Sequence, residues 1–255
     1  MSSDLPPAIP AATLILMRAP AKAPGAPEIL MMERSANMAF AAGALVFPGG
    51  RIDPGDHLTA AALAPQIEDA AARIAAIRET VEETGIAPAL SPPADAAAAQ
   101  ALRQGIAAGE AFADLLARLG FKLDLEALTP FARWCPNFRE ARRFDTLFYV
   151  AEAPPGAAPA TADQSEAVSA FWATAEAVLA DIDAGRAQAI FPTRRNLERL
   201  AQFDTLEDAR ADALRFPVRQ ITPWVEEREG RRYVCIPEDA GYPVTSEPYE
   251  SARRR

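Results

Sequence analysis

The sequence predicts an α/β (α+β) protein, a mixed β-sheet sandwiched between helices with an inserted helical segment. Three observations predict it. Short, apolar, β-leaning runs open the chain at Ala11–Arg18 and Glu28–Glu33. A long helical stretch follows over Thr59–Ile86, with Ile74, Ile77 and Val81 recurring at i, i+3 and i+7. Strand-like runs then return at Leu128–Cys135, Arg142–Val150 and Ala167–Trp172, where β-branched and aromatic residues cluster.

Between the first two runs, the Pro- and Gly-bearing segment Ala19–Pro27 reads as a hairpin connection. Leu45-Val46-Phe47 is a third short strand feeding a Pro48-Gly49-Gly50 turn, where Gly lets backbone approach a ligand. The helical stretch is expected in two pieces, Thr59–Ala64 broken near Pro65 and a main helix from about Ile67, with Gly85 as its stop. The Ala-rich block 91–120 holds two helices, Asp95–Arg103 and Glu110–Leu119, separated by Gly105 and Gly109. It is a hairpin grafted between strands, either a lid or homodimer element or a stabilising appendage. Later helices are expected at Ala173–Ala184, capped by Thr174, at Thr193–Gln202 and at Asp204–Leu214. A closing hairpin, Gln220–Glu226 with Arg232–Ile236, turns at Glu229-Gly230. The whole is expected to form one domain, residues 1–255, with insertions at about 57–70 and 91–120 and a C-terminal extension from about 203.

The 255 residues carry a net charge of −9, which argues against a nucleic-acid surface, since phosphate contacts need clustered Lys and Arg. No apolar run reaches membrane-spanning length, so no membrane partner is expected. Met1–Pro10 lacks a basic start followed by an apolar core, and two cysteines, Cys135 and Cys235, are sparse for so long a chain. Both point to a reducing cytoplasm, and the Ala, Arg and Pro bias suggests a GC-rich bacterial coding sequence.

The chemistry concentrates at Arg78-Glu79-Thr80-Val81-Glu82-Glu83-Thr84-Gly85-Ile86. On a helix Glu79 and Glu83 share a face and Glu82 lies beside them. Such like charges destabilise a helix by a few tenths of a kcal/mol per pair, so they call for a counter-charge that Arg78 alone does not supply. Side-by-side carboxylates suit Mg²⁺ or Mn²⁺, and a solvated acidic face is the alternative for such a run.

With Phe47-Pro48-Gly49-Gly50 upstream, this run resembles the box of the Nudix family, which hydrolyses nucleoside diphosphates linked to another moiety. Gly50 opens the box, and its closing segment matches at eight of nine positions, Thr80 standing where a bulky apolar residue is usual. Asp56 occupies the upstream Glu position, and the spacer of residues 57–77 is 21 residues long where the family has seven. An interrupted spacer is similar to the sub-branch of peroxisomal coenzyme A diphosphatases. Leu30-Met31-Met32-Glu33-Arg34-Ser35, then Gly43 and Phe47 to Gly50, keeps the spacing of that branch's upstream motif, with Ala39 where a second Arg is usual. Arg143 to Tyr149 and Phe191 to Leu197 also resemble segments of that branch.

The resemblance implies a Nudix-type sheet and a pyrophosphohydrolase acting on a small nucleoside diphosphate derivative. Coenzyme A or an acyl derivative leads; ADP-ribose, NADH, a nucleotide sugar, or a non-catalytic nucleotide-binding module are the alternatives. It implies Mg²⁺ or Mn²⁺ held by Glu79, Glu82, Glu83, the Gly50 carbonyl and Asp56. Glu79 is ligand or general base, Arg78 orients a carboxylate, and Glu166 is a further candidate base. Arg34, Phe47, Gly49 and Gly50 are the substrate-binding candidates. His57, the lone histidine, reads first as an exposed loop residue.

Overall fold

The computed structural model describes residues 6–20, 25–35, 41–136, 143–157 and 167–253. The first half of the chain runs β1 (Ile9–Arg18), β2 (Glu28–Arg34), β3 (Leu45–Val46), β4 (Gly49–Arg51), α1 (Pro54–Leu63), α2 (Ala70–Thr84), β5 (Leu90–Ser91), α3 (Ala96–Ala107), α4 (Phe112–Leu119) and β6 (Lys122–Leu123). The second half runs β7 (Thr129–Trp134), β8 (Phe144–Glu152), β9 (Ala167–Thr174), α5 (Ala175–Asp183), α6 (Phe191–Leu200), α7 (Leu206–Arg215), β10 (Gln220–Ile221), β11 (Trp224–Arg228), β12 (Arg231–Cys235), β13 (Ser246–Pro248) and α8 (Tyr249–Arg253).

Eight strands form the main sheet in the order β10-β7-β8-β1-β2-β3, with β4 on β1 and β9 on β2. It is mixed: β1 with β8 and β10 with β7 run parallel, and the other ladders are antiparallel. Strand β1 shows why helices cover both faces. Its side chains alternate, Leu14 and Leu16 entering one core and Ile15 and Met17 the other, all at most 1% exposed. A strand apolar on both faces is stable only when both are covered. On the Leu14 face lie α2, through Ile74, Ile77 and Val81, and the α3–α4 hairpin, through Leu102, Leu115 and Leu116. On the Ile15 face lie α5, α6 and α7, through Val178, Leu197, Leu200, Ala209 and Ala213. The fold class read from the sequence is the one observed.

One detail of the ladder places the site. β1 pairs with β2 at Met17–Ile29 and Arg18–Glu28, whereas at its other end Ala11, Ala12 and Thr13 pair with β4. The Gly49-Gly50 segment, expected as a turn, is thus a short strand lying along β1, and α2 packs across both.

Other expectations shift for local reasons. The helix read from Thr59 starts at Pro54, where a fixed φ favours the first helical position and Asp53 precedes as N-cap. Gly105 is no break but sits inside α3, and its missing side chain admits the Leu115 methyls of α4, 2.5 and 2.8 Å from where its Cβ would be. The run Gln220–Glu226 divides at Pro223, two residues joining the main sheet and the rest the β11–β12 hairpin. Thr174 caps α5 as expected, accepting from the Ala177 N–H. On α6, Arg194 pairs with Asp183 and Glu198, and buried Arg195 with Glu198 and Glu247. Burial pushes the Glu198 carboxyl upward against the pull of these arginines. Asp145 pairs with Arg133 across the β7–β8 ladder, while Arg143 turns to the Cys135 sulfur. Among the described residues no helix is long and apolar enough to cross a membrane.

Candidate functional site

Helix α2 carries the acidic run, and its two faces do different work. Ile74, Ile77 and Val81 are fully buried against the sheet, which fixes the helix's rotation. Thr80 sits with them at 0% exposure; its hydroxyl donates to the Ala76 carbonyl one turn back, at 2.7 Å. A polar residue is therefore tolerated at a position where an apolar one is usual, since its hydrogen bond is made locally. Gly85 ends the helix at φ 69°, a left-handed conformation that glycine adopts without steric cost.

The rotation so fixed turns Glu79 and Glu83 toward β4. The Gly49 N–H donates to Glu83 Oε2 at 2.9 Å, and Glu83 is 3% exposed. Gly50 lies so close to Glu79 that a Cβ there would fall on its carboxyl group. Two box glutamates thus meet one dipeptide of backbone. Glu82 diverges, with 39% of its side chain exposed, and its Oε2 lies 3.3 Å from Arg78 Nη1.

Arg78 is the hub of the charges. Its Nε and Nη2 donate to the two oxygens of Asp56 at 2.9 and 3.0 Å, a fork-on-fork pair. Its Nη1 lies 3.0 Å from Glu79 Oε1, and Nη2 also donates to the Arg51 carbonyl at 3.2 Å. Burial works to lower the guanidinium pKa, but the Asp56 hydrogen bonds and the charges of Glu79 and Asp56 outweigh it, so Arg78 is held above the usual arginine range. The proton is locked on; Arg78 is a permanent cation among carboxylates.

Asp56 was expected among metal ligands. It is 1% exposed, both oxygens bond Arg78, and Oδ2 also accepts the Asp53 N–H at 2.9 Å, fastening the first turn of α1. Asp56 thus sits in the first turn of α1, the helix with which the long spacer begins. Phe47, expected to touch substrate, is 3% exposed and packs edge-on against Phe148 in the core, ring centres 6.5 Å apart. Arg34 is half-buried at the end of β2, and its Nε is buried without a hydrogen-bond partner. His57 is exposed. Glu166 lies outside the described residues.

The donors suit a hard divalent cation: carboxylates of Glu79, Glu82 and Glu83 and the Gly50 carbonyl are all oxygen, and the bare Gly50 lets the Glu79 carboxyl approach the backbone. As they stand, these groups are engaged by Arg78 and the Gly49 amide, and among the described residues no three acidic, His or Cys side chains converge on one point. Ligation would require Glu82 at least to turn from Arg78. Sequence reading missed Arg103, whose Nε donates to the Glu82 carbonyl at 2.9 Å from α3, 21 residues away. Nothing local marks that contact.

No family model and no curated protein matches the chain. Among solved structures, it is similar to a Nudix hydrolase from Alicyclobacillus acidocaldarius, with 27% identity and a TM-score of 0.69 over 80% of this chain and 96% of that one. Weaker matches are the Nudix domain of Shewanella oneidensis NrtR complexed with ADP ribose, at 15% identity, 78% and 88% coverage and a TM-score of 0.45, and a MutT protein from Methanosarcina mazei Go1, at 17% identity, 79% and 97% coverage and 0.44. The chain has the Nudix fold, and its likeness to the Alicyclobacillus hydrolase supports the family placement that the box on α2 suggests.

Proposed function

We propose that the protein is a divalent-metal-dependent hydrolase that cleaves the diphosphate linkage of a nucleoside diphosphate derivative, coenzyme A or an acyl-coenzyme A first among them. The observation that carries the reading is the seating of Glu79 and Glu83 against the Gly49-Gly50 backbone, beside the Arg78–Asp56 fork.

A diphosphate resists hydrolysis because its charged oxygens repel a nucleophile. Bound Mg²⁺ or Mn²⁺ supplies neutralisation of those oxygens and a template for in-line attack. Glu79, Glu82, Glu83 and the Gly50 carbonyl would hold it. The chain's own part is geometric. Asp56 fixes the plane of Arg78, and Arg78 in turn engages Glu79 beside β4 and Glu82 on the more exposed side of α2. Gly49 pins Glu83 through its amide. Glu79, 14% exposed, is either a ligand or the base that takes a proton from water. Arg34, with its buried Nε unpartnered, is suited to an anionic oxygen of the substrate, the role that the Leu30–Ser35 motif implies in coenzyme A-cleaving relatives.

One observation favours a second reading, a non-catalytic nucleotide-binding module: all three glutamates have counterparts within the protein. A substrate panel separates the two. Coenzyme A, acetyl-coenzyme A, ADP-ribose, NADH and a dinucleoside polyphosphate are incubated with Mg²⁺ or Mn²⁺ in ¹⁸O water and the products resolved by chromatography. Cleavage of coenzyme A into 3′,5′-ADP and a phosphopantetheine is expected; no product from any member favours the module. Gly50→Ala gives a smaller, graded test. Its methyl displaces the Glu79 carboxyl, and a misplacement near 1 Å lowers kcat/KM by up to about 10²-fold. Wild-type kinetics in that variant would remove Glu79 from the reacting geometry.

A further inference from the structure

Helix α2 ends in an electrostatically unfavourable way. Its last turn bears Glu82 and Glu83 and no basic residue, although a helix C-terminus already carries about half a negative charge. Its last carbonyls also need donors. The Gly85 N–H bonds the Val81 carbonyl, and the Glu82 carbonyl receives Arg103 Nε. The Arg103 side chain lies over the C-cap itself, its Nη1 3.6 Å from where a Cβ on Gly85 would be. Arg103 is held there by its neighbours on α3: Leu102 and Ala99 are buried in the core shared with α2, and Asp95 caps the start of α3 by accepting the Ala98 N–H at 2.8 Å. The inserted block thus delivers a cation to a helix end whose own last turn holds two carboxylates and no basic residue.

We propose that Arg103 is a positioning residue, and that the α3–α4 insertion serves to pin the carboxylate-bearing turn of α2, thereby setting its affinity for a divalent cation. This rests on the metal-dependent reading above. Arg103 touches no reacting atom; it acts through the backbone that carries Glu82 and Glu83.

Arg103→Met keeps the aliphatic stem and removes the donor and charge, and Arg103→Lys restores a donor. Ile106→Ala, on the same helix, is the control for plain destabilisation. Two readouts are needed: amide hydrogen exchange of residues 82–86 in the metal-free protein, and Mn²⁺ affinity by titration of free Mn²⁺ in electron paramagnetic resonance. Exchange at those amides is expected to quicken in Arg103→Met, the Mn²⁺ dissociation constant to rise about fivefold, the size of a helix-terminus charge interaction, and Arg103→Lys to fall between. Ile106→Ala should lower the melting temperature without moving the Mn²⁺ constant. Unchanged exchange at 82–86 overturns the brace. Tighter Mn²⁺ binding in Arg103→Met, as simple removal of a positive charge would give, overturns it too, as does equal weakening in Ile106→Ala. Wild-type protein that binds no Mn²⁺ removes the metal reading itself, and that failure is told apart by an exchange effect that persists.

Discussion

Glu83→Gln is expected to lower kcat by about 10²–10³-fold, the scale of losing one charge-stabilising group from a water-poor site, while the protein stays folded. The amide is nearly isosteric, and its oxygen can still accept the Gly49 N–H, so the contact between α2 and β4 persists. What disappears is the negative charge. In the metal-free protein that loss is even mildly favourable, because Glu83 sits in the last turn of α2, where a carboxylate opposes the helix dipole. The melting temperature should therefore change by less than about 3 °C, equivalent to 1 kcal/mol or less in a chain of this size. Steady-state turnover and a thermal melt on one preparation check both parts. Undiminished turnover would take Glu83 out of the site; lost turnover with a collapsed melt would make it a structural residue only.

Asp56→Ala is expected to have the largest effect on stability. Arg78 has 12% of its side chain exposed, and Asp56 supplies both acceptors of its fork. Removing one partner of a buried pair costs about 3–5 kcal/mol when the other is stranded. Here Glu79 and Glu82 remain beside the guanidinium, so the lower end, about 3 kcal/mol, applies, and the melting temperature should fall by about 6–10 °C. The same substitution releases the Asp53 N–H at the start of α1, an interaction of about 1 kcal/mol within that figure. Asp56→Asn, which keeps an acceptor for that N–H, should lose roughly half as much. Urea and thermal unfolding measure it; an Asp56→Ala protein as stable as wild type would mean that the fork is dispensable. Activity should fall in the same variant, since Arg78 is then free to draw Glu79 and Glu82 further toward itself.

How far the sequence was legible follows the range of the interactions. The stripe Ile74, Ile77 and Val81, the stop at Gly85 and the Thr174 cap are patterns within a few residues, and all three stand as read. Strands β1, β2, β7, β8 and β9 lie within two residues of their expected starts because each is an apolar run bounded by breakers. What failed to show was long-range. Gly49–Arg51 became a strand because residues near 12 pair with it, and Gly105 is a packing glycine inside α3, its empty side taken by Leu115 of α4. Asp56 and Arg78 are 22 residues apart, so no local pattern shows their pairing. The start of α1 is the exception, since Asp53-Pro54 with Asp56 is a helix opening visible within four residues. Arg103 had no signal at all, since any arginine in the Ala-rich block could have faced solvent.

In the proposed function, the backbone of Gly50 and the glutamates of α2 together bind a hard cation. Crystals soaked in Mn²⁺ and measured at a wavelength sensitive to manganese test it most directly. The expected result is an anomalous peak bounded by Glu79, Glu83 and the Gly50 carbonyl at about 2.0–2.3 Å, with Glu82 turned away from Arg78 to join them. Clean density in which Glu79 and Glu82 stay on Arg78 and no peak appears, under conditions where the protein hydrolyses its substrate, would contradict it.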